Sequence, residues 1–441
     1  MALELALTRI AKSLVDSEGI SFDEAQARLR KFSLEIVVAD DATSLTAHSA
    51  ILTAISVASR TFIGGVRVAG YINQPLNSSV PLRARMLDAA ALEVGASDFD
   101  GAASHRIIIG SSGVAAQPGD IWTGWQGWQC AAAPYSLDCD NGDNPLTGIA
   151  AGALAVSEAF NTARDLNSSD RAEVNLWPTV EGEAAPNFAE IFLPGALWIV
   201  GLGNLGQAYL WALSSLPYAD PSQVTLVIQD RDRVTEENWA TSILVREEVY
   251  GALKTKVAES WGVSCGFDVR RIDRRLLASD RVDHDEPRMA LCGVDKVNVR
   301  AGMADIGFEC IVDAGLGRTA DDFDRYRVTI FDAERPIDKH FEDSHDIMPI
   351  GQVPEEDAYK VLEKEIGNCG AVAIAGASVA AAFVSTIAAA AVVTRAIAAV
   401  SGCNFPSNEV NRLSTRKLRT GPAINSLYRE TRHAGRPRIQ P

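Results

Sequence analysis

The sequence is poor in features that would place it outside a reducing compartment. Its 441 residues include seven cysteines, and no two of them are spaced as C-x-x-C, the usual pattern of structural zinc ligands. The N-terminal segment has no apolar run of signal-peptide length. An odd, scattered set of cysteines is typical of reduced thiols. We therefore expect a cytoplasmic protein without a structural zinc site.

The sequence also lacks a G-x-x-x-x-G-K-[ST] loop and an excess of positive charge. The missing loop disfavours γ-phosphate cleavage of the P-loop type. The formal net charge of −16 argues against general nucleic-acid binding. A hydrophobic fraction of 47% and a charged fraction of 22% are ordinary for a globular protein. The length allows two or three domains.

One uncharged stretch, Gly370–Val393, is long enough to be tested as a membrane span. Alanine gains little free energy in lipid compared with leucine or isoleucine, and eleven of these residues are alanine. A helix of small residues is better suited to close packing inside a protein. We expect a buried core helix and no membrane partner.

A βαβ unit begins at Ala196–Val200, a short apolar run typical of a strand buried on both faces. Gly201, Gly203 and Gly206 then form a G-x-G-x-x-G turn, and Val224–Ile228 is a second apolar strand. Such glycines let backbone amides approach a phosphate at a helix N-terminus. These features alone fit a nicotinamide-dependent oxidoreductase equally well.

An earlier part of the chain repeats this order of elements without the glycines. Leu34–Val38, Val66–Ala69 and Arg106–Gly110 are predicted strands, and Ser44–Ser59 and Gly148–Phe160 are predicted helices. The repetition predicts a duplicated α/β fold whose first copy is degenerate. Two unrelated α/β segments are the alternative.

The predicted domain organisation has four parts. Residues 1–164 form the degenerate copy, and residues 165–194 form a linker rich in Asn, Ser, Pro and Glu. Residues 195–405 form the nucleotide-binding copy. Residues 406–441 form a basic tail that lies on the acidic body, docks a partner or remains solvated.

Polar motifs follow the glycine turn at fixed spacings. They are D-x-D-x-V-x-x-x-N from Asp230 to Asn238, G-x-x-K ending at Lys254, and C-x-x-D ending at Asp295. Asn368-Cys369-Gly370 then precedes a stretch of small residues. The set covers just under half the chain and resembles the ThiF/MoeB and ubiquitin-activating enzyme family.

The resemblance implies two Rossmann-like ThiF-type adenylation domains in a pseudo-dimer, the first of them degenerate, with ATP and magnesium in the second. By resemblance, Asp295 would hold magnesium, and Lys254 and Asn238 would contact phosphates. Asp230 would hold the ribose, and the three glycines would line the nucleotide. Asp232 belongs to the same motif, although a turn-capping role is the alternative for it.

The sequence departs from the family pattern at several positions. Thr241 stands where the family usually has an arginine, and Arg246 is a candidate to replace it. Lys296 stands where an asparagine usually follows the metal-binding aspartate. Lys256 is an alternative to Lys254 as the phosphate ligand.

Two further residues are candidates for catalysis. Arg9, in the predicted first helix, corresponds to an arginine that the neighbouring copy often supplies in the family; a surface arginine is the alternative. Cys369 is the candidate thioester nucleophile, because a helix N-terminus just after it would favour the thiolate. A packed thiol is the alternative, and Cys403 is the reserve candidate. Cys292 and Cys310 are expected to be inert in core strands.

The predicted function is ATP-dependent adenylation of the C-terminal carboxylate of a ubiquitin-like protein. Thioester formation on Cys369 and transfer to a ubiquitin-conjugating-enzyme-like protein are further implied steps, in a setting such as antiviral defence. Relatives of the same fold activate a small peptide or a tRNA base, so these substrates stay open. The sequence is also compatible with an NAD-dependent oxidoreductase or a non-catalytic binding module, and homodimer formation is open.

Overall fold

The computed structural model describes residues 2–166, 170–178, 183–341, 354, 356–415, 417–425 and 433–439. The N-terminal half contains a six-stranded sheet flanked by helices. Its helices are α1 (Ala2–Glu18), α2 (Phe22–Leu29), α3 (Leu45–Ala58), α4 (Leu87–Val94) and α5 (Pro145–Ala163). Its strands are β1 (Leu34–Val38), β2 (Val66–Gly70), β3 (His105–Ile109), β4 (Asp120–Gln126), β5 (Gln129–Ala133) and β6 (Ala172–Asn175).

The C-terminal half is built on an eight-stranded sheet. Its strands are β7 (Ala196–Val200), β8 (Thr225–Gln229), β9 (Asp268–Ile272), β10 (Met289–Cys292), β11 (Cys310–Leu316), β12 (Arg325–Phe331), β14 (Asn408–Arg412) and β15 (Lys417–Thr420). The short strands β13 (Asn404–Pro406) and β16 (Ala423–Asn425) pair with each other. The helices are α6 (Asn204–Ser214), α7 (Lys254–Ser264), α8 (Val297–Ala301), α9 (Ile337–Phe341), α10 (Asp357–Gly376) and α11 (Ala382–Val400).

Six neighbouring strands of the larger sheet repeat the order and directions of the smaller one. The smaller sheet runs β2-β1-β3-β4 with parallel neighbours, followed by antiparallel β5 and β6. The larger sheet runs β8-β7-β10-β11 with parallel neighbours, followed by antiparallel β12 and β14. The predicted α/β class with parallel strands is confirmed, whereas the two-copy pseudo-dimer remains a prediction.

Local sequence explains where the shared elements begin and end. The apolar runs predicted as strands at Leu34–Val38 and Ala196–Val200 form β1 and β7, both largely buried. The predicted helix Ser44–Ser59 is α3, and the hydroxyl of Ser44 caps it by accepting a hydrogen bond from the Ala47 amide.

The core between the halves is made of helices rich in small residues. α11 packs against α5 and α6, and α5 packs against α3. Gly148 and Gly152 of α5 permit this approach, because an added Cβ would lie 2.0 and 2.2 Å from the carbonyl oxygens of Thr46 and Ala50. The close approach of α3 and α5 therefore requires residues without a side chain at positions 148 and 152.

The uncharged stretch Gly370–Val393 does not form one helix. Its first residues end α10, the backbone is non-helical at Ala377–Ala381, and α11 begins at Ala382. α11 is long and apolar enough to cross a membrane, yet 94% of its apolar window is buried inside the protein. The expected core helix is therefore α11, shifted towards the C-terminus.

Described residues beyond 406 differ from the expected basic tail. β14 and β15 extend the larger sheet, and Ala434 and Gly435 hydrogen-bond to Leu193. The inward positions of β14 are polar: Glu409 forms a buried ion pair with Arg395, and Asn411 donates to the Tyr326 hydroxyl. β14 therefore forms without the alternation of apolar and polar residues that would predict a strand. β6 likewise falls inside the expected linker, and the domain boundaries stay a prediction.

Candidate active site

A cavity of about 630 Å³ opens at the ends of the parallel strands of the larger sheet. β7 and β10 are neighbours there, and the chain after β7 crosses to β8 on the opposite side. Ligands of open α/β sheets bind at such a switch point, outside the carboxyl ends of the strands. The turns after β7, β8 and β10 line the cavity, and α1 of the N-terminal half reaches it.

The glycine turn forms the floor of the cavity. Gly201 has a φ of +84°, which favours glycine, and a Cβ on Gly206 would lie 2.0 Å from the Gly201 carbonyl oxygen. Gly203 faces open space and lines the cavity together with Gly201. Asn204, the first residue of α6, also lines it, and neither polar atom of its buried amide has a hydrogen-bond partner among the described residues. A polar ligand fits this arrangement.

Asp230 and Asp232 follow β8 and face the same cavity. The Asp230 carboxylate accepts from the Leu202 amide at 2.6 Å and from the Asp232 amide at 2.8 Å. Asp230 therefore fixes the glycine turn as well as lining the site. The Asp232 carboxylate lies 3.8 Å from the Lys254 ammonium, and its carbonyl accepts from the Lys254 amide.

Lys254 and Asn238 are both brought to the cavity, as the resemblance implies. The Lys254 side chain is only 12% exposed, whereas Lys256 is exposed and is absent from the cavity lining. The geometry therefore favours Lys254 over Lys256. The Asn238 side-chain oxygen accepts from the Thr235 amide and closes the short turn that carries it.

Asp295 lines the cavity at the turn after β10 and is exposed. Arg300 anchors this turn: it donates to the Val294 carbonyl at 2.8 and 2.6 Å, to the Ala314 carbonyl at 3.1 Å and to the Asp313 carboxylate at 3.2 Å. The described residues hold no cluster of three or more potential metal ligands. One carboxylate fits Mg²⁺, which keeps waters and takes phosphate oxygens as its remaining ligands.

Arg9 reaches the cavity from α1. Its Nε lies 3.6 Å from the Glu237 carboxylate, and its side chain is 31% exposed. α1 packs against the segment Glu236–Asn238, so a helix of the N-terminal half contacts a motif of the C-terminal half. The arginine expected from the first copy is thus placed beside the site.

Thr241 is buried and lines the cavity, but Arg246 is exposed and does not. Arg246 therefore does not occupy the position of the missing family arginine. Among the residues that the structure describes, ten lysines and arginines line the cavity, against four aspartates, in a chain of net charge −16. The basic residues are Arg9, Arg231, Lys254, Arg274, Arg275, Lys296, Arg300, Arg318, Arg325 and Arg327. This local excess fits a highly anionic ligand.

Sequence reasoning missed most of these arginines. Arg325 and Arg327 alternate on β12, and Arg274 and Arg275 follow β9, so their positions at strand ends were the available signal. Arg327 lies 3.3 Å from the Asp313 carboxylate, which Arg300 also contacts. Two cations thus face one buried carboxylate, which leaves net positive charge at the cavity wall.

Two family models match the chain, the BilD N-terminal domain over residues 33–175 and the BilD C-terminal domain over residues 193–403. A protein of Collimonas sp. (strain OK412), described as a bacterial E1-like protein BilD, is 33% identical over 403 residues, which cover 87% of this chain and 86% of that protein. The chain belongs to the BilD family.

Solved structures of Escherichia coli MccB are more distant from this BilD-family chain. MccB with MccA-N7isoASN is 14% identical, with a TM-score of 0.33, and the match covers 53% of this chain and 64% of MccB. MccB with ATP gives 14% identity, a TM-score of 0.32 and the same coverage. The matched part is less than two thirds of MccB, and this likeness assigns no activity to the BilD-family chain.

The cysteines of this BilD-family chain differ from the expectation at one position. Cys369 lies inside α10, towards its C-terminal end, and not before a helix N-terminus. The helix dipole therefore does not favour its thiolate, and its side chain lies outside the described residues. Cys292 and Cys310 are buried in strands as expected, and burial raises the pKa of the Cys292 thiol. Burial also raises the pKa of Cys403.

Proposed function

We propose that this BilD-family chain uses ATP and Mg²⁺ to adenylate the C-terminal carboxylate of a ubiquitin-like protein. The observation that carries the proposal is that residues from separate motifs meet in one cavity. Residues from four separate motifs, the glycine turn, Asp230, Lys254 and Asp295, line one cavity at the switch point of the sheet. Their chain positions alone do not require them to meet.

The proposed reaction is attack of a carboxylate oxygen on the α-phosphorus of ATP. The bond from that phosphorus to the bridging oxygen breaks, and pyrophosphate leaves with the electron pair. Negative charge on the phosphates would be offset by Lys254, by Arg9 and by the arginines of the cavity wall. Asp230 would accept hydrogen bonds from the ribose hydroxyls.

Asp295 would hold Mg²⁺ together with substrate phosphate oxygens, in keeping with its exposed carboxylate in the cavity lining. When bound, the ion would neutralise phosphate charge. The role of this chain is to fix the position of that carboxylate, and Arg300 does so through both hydrogen bonds to the Val294 carbonyl.

The N-terminal half would be a degenerate copy of the same domain. The shared strand order supports this proposal. A second support lies at the turns after β1 and β3, where the Asp41 carboxylate accepts from the amides of Ser111 and Ser112 and from the Ser111 hydroxyl. A carboxylate of the chain itself thus stands in the turn after β1, which corresponds in the strand order to the glycine turn after β7.

Thioester formation on Cys369 is the second step of the proposal. The thiolate would attack the carbonyl carbon of the acyl adenylate, and AMP would leave. The ubiquitin-like chain would then pass to a conjugating-enzyme-like partner. A labelled chain retained on wild-type protein but lost from Cys369→Ala, with adenylation unchanged in both, is the expected result; retention on the variant contradicts the assignment.

Pyrophosphate–ATP exchange tests the adenylation proposal. Label from pyrophosphate should enter ATP only in the presence of a ubiquitin-like protein with a free C-terminus, and Asp295→Ala should abolish the exchange. Exchange supported by a short peptide alone would indicate peptide activation instead. Absence of exchange with either substrate, combined with NADH binding, would contradict the proposal.

A further inference from the structure

Arg60 crosses from the N-terminal half into the C-terminal half. It follows α3 and is 3% exposed. Its Nη2 donates to the carbonyls of Ile243 at 2.8 Å and Val245 at 2.9 Å, and its Nε donates to the Ser242 carbonyl at 3.4 Å. Its Nη1 donates to the Ser56 carbonyl of α3. One buried guanidinium thus joins the end of α3 to three carbonyls of a loop in the other half.

The loop that Arg60 holds, residues 239–245, forms part of the cavity wall. Thr241 and Ser242 line the cavity, and the loop follows directly after the last residue of the D-x-D-x-V-x-x-x-N motif. On its other side, the Leu244 amide donates to the Gln207 side chain, which belongs to α6 behind the glycine turn. The loop is therefore fixed between one residue of each half.

The loop has little regular structure to satisfy its own carbonyl groups. Buried carbonyls without donors are costly, and the planar guanidinium can reach several of them at once. Removal of Arg60 would leave the carbonyls of Ile243 and Val245 without this donor, whereas the Ser242 carbonyl would keep the hydrogen bond from the Val245 amide. The shape of the cavity wall would then no longer be determined by the N-terminal half.

We infer that Arg60 is a positioning residue that fixes the phosphate-facing wall of the cavity from the N-terminal half. The inference rests on the proposed function only in taking ATP as the ligand. Arg60 does not line the cavity, so it acts through the loop and not on the nucleotide. It also gives a half without a glycine turn a part in building the site.

Hydrogen–deuterium exchange of the full chain, without nucleotide, tests the first part of the inference. Arg60→Ala should speed exchange of the amides of residues 239–245 and leave both sheets protected. Arg106→Ala is the matched control. Arg106 is likewise an arginine of the N-terminal half, but its partners are Glu35 and Asp120, and both lie outside this loop. Equal loop exchange in wild type and Arg60→Ala would overturn the inference.

Equilibrium binding of labelled ATP with Mg²⁺ tests the second part. Arg60→Ala should raise the dissociation constant about tenfold or more, since charged hydrogen bonds hold the wall in place. Guanidinium at a concentration far below denaturing should restore binding to Arg60→Ala and not to Asp295→Ala. Faster amide exchange in residues 239–245 together with an unchanged ATP dissociation constant would overturn the inference that Arg60 affects nucleotide binding through this loop.

Failure of the proposed function gives a different result. If wild-type protein does not bind ATP, the adenylation proposal fails. The hydrogen–deuterium exchange experiment, which needs no nucleotide, still decides whether Arg60 positions the loop. If Arg60→Ala does not fold, Arg60→Lys replaces it. The lysine variant should fold with intermediate loop exchange, and a loop as protected as in wild type would count against the inference.

Discussion

At the scale of single residues, the site depends on which of two nearby lysines reaches the cavity. Lys254 lines it with a side chain only 12% exposed, and Lys256 is exposed outside it. Lys254→Ala should lower the rate of pyrophosphate exchange about 10- to 100-fold, the loss expected for a charge-assisted contact to phosphate. Lys256→Ala should leave the rate unchanged, and equal losses in both variants would contradict the placement.

Asp41 gives a prediction about pH. Burial would raise the pKa of this carboxyl, but hydrogen bonds from the hydroxyl and amide of Ser111 and the amide of Ser112 outweigh it and lower the pKa below the ordinary 3.8. A lowered pKa means that the folded state favours the charged form. The stabilisation is therefore present above pH 3.8 and is lost as the pH falls through the lowered pKa.

The matched variant is Asp41→Asn, which cannot ionise. Its free energy of unfolding in urea should be lower than that of wild type at neutral pH, and the difference should shrink as the pH is lowered towards acid. A difference that stays constant with pH would show that the carboxylate charge contributes nothing at this turn.

At the scale of elements, the helix crossings depend on glycine. A methyl group on Gly148 would lie 2.0 Å from the Thr46 carbonyl oxygen, so α3 and α5 would have to separate. Gly148→Ala should destabilise the fold by about 1–3 kcal/mol in urea unfolding, despite the better helix propensity of alanine. Gly376→Ala, at an open position in α10, is the control and should cause no loss. A neutral effect at Gly148 would contradict the close crossing.

Elements with a strong apolar pattern were predictable from the sequence. Leu34–Val38 and Ala196–Val200 are short runs of mostly apolar residues, and both form strands that are largely buried. β14 was not predictable, since its inward positions are Glu409 and Asn411 and only tertiary partners satisfy them. The prediction that Cys369 precedes a helix was wrong for a related reason. Uniform small residues did not reveal the break at Ala377–Ala381, where the Val379 amide donates to the Arg318 carbonyl.

At the scale of the whole molecule, local motifs predicted the parts of the cavity drawn from one half. The glycine turn and Asp230 follow the two strands of one βαβ unit, which brings them together. Asp295 follows β10, and only the sheet order places β10 beside β7. Arg60 gave no signal, because its partners are backbone carbonyls about 180 residues later in the chain. Arg325 and Arg327 stand at the start of β12, which is a local signal, but local patterns do not specify the sheet order that brings β12 to the cavity.

Arg9 tests whether the two halves work as one site. It lies in α1, yet it lines the cavity and contacts Glu237 of the other half. Arg9→Ala should lower the rate of pyrophosphate exchange about 10- to 100-fold, because a cation beside the anionic ligand is removed. Arg28→Ala is the control: this arginine pairs with Glu18 and Asp165 and lies outside the cavity lining.

The expected pattern is a loss confined to Arg9→Ala, with both variants retaining the thermal unfolding midpoint of wild type. Arg9→Lys should recover part of the rate, because the charge is kept while the planar fork is lost. If Arg9→Ala exchanges at the wild-type rate, the N-terminal half contributes no cation to the reaction. Its contact with the cavity would then serve only to hold α1 against the segment Glu236–Asn238.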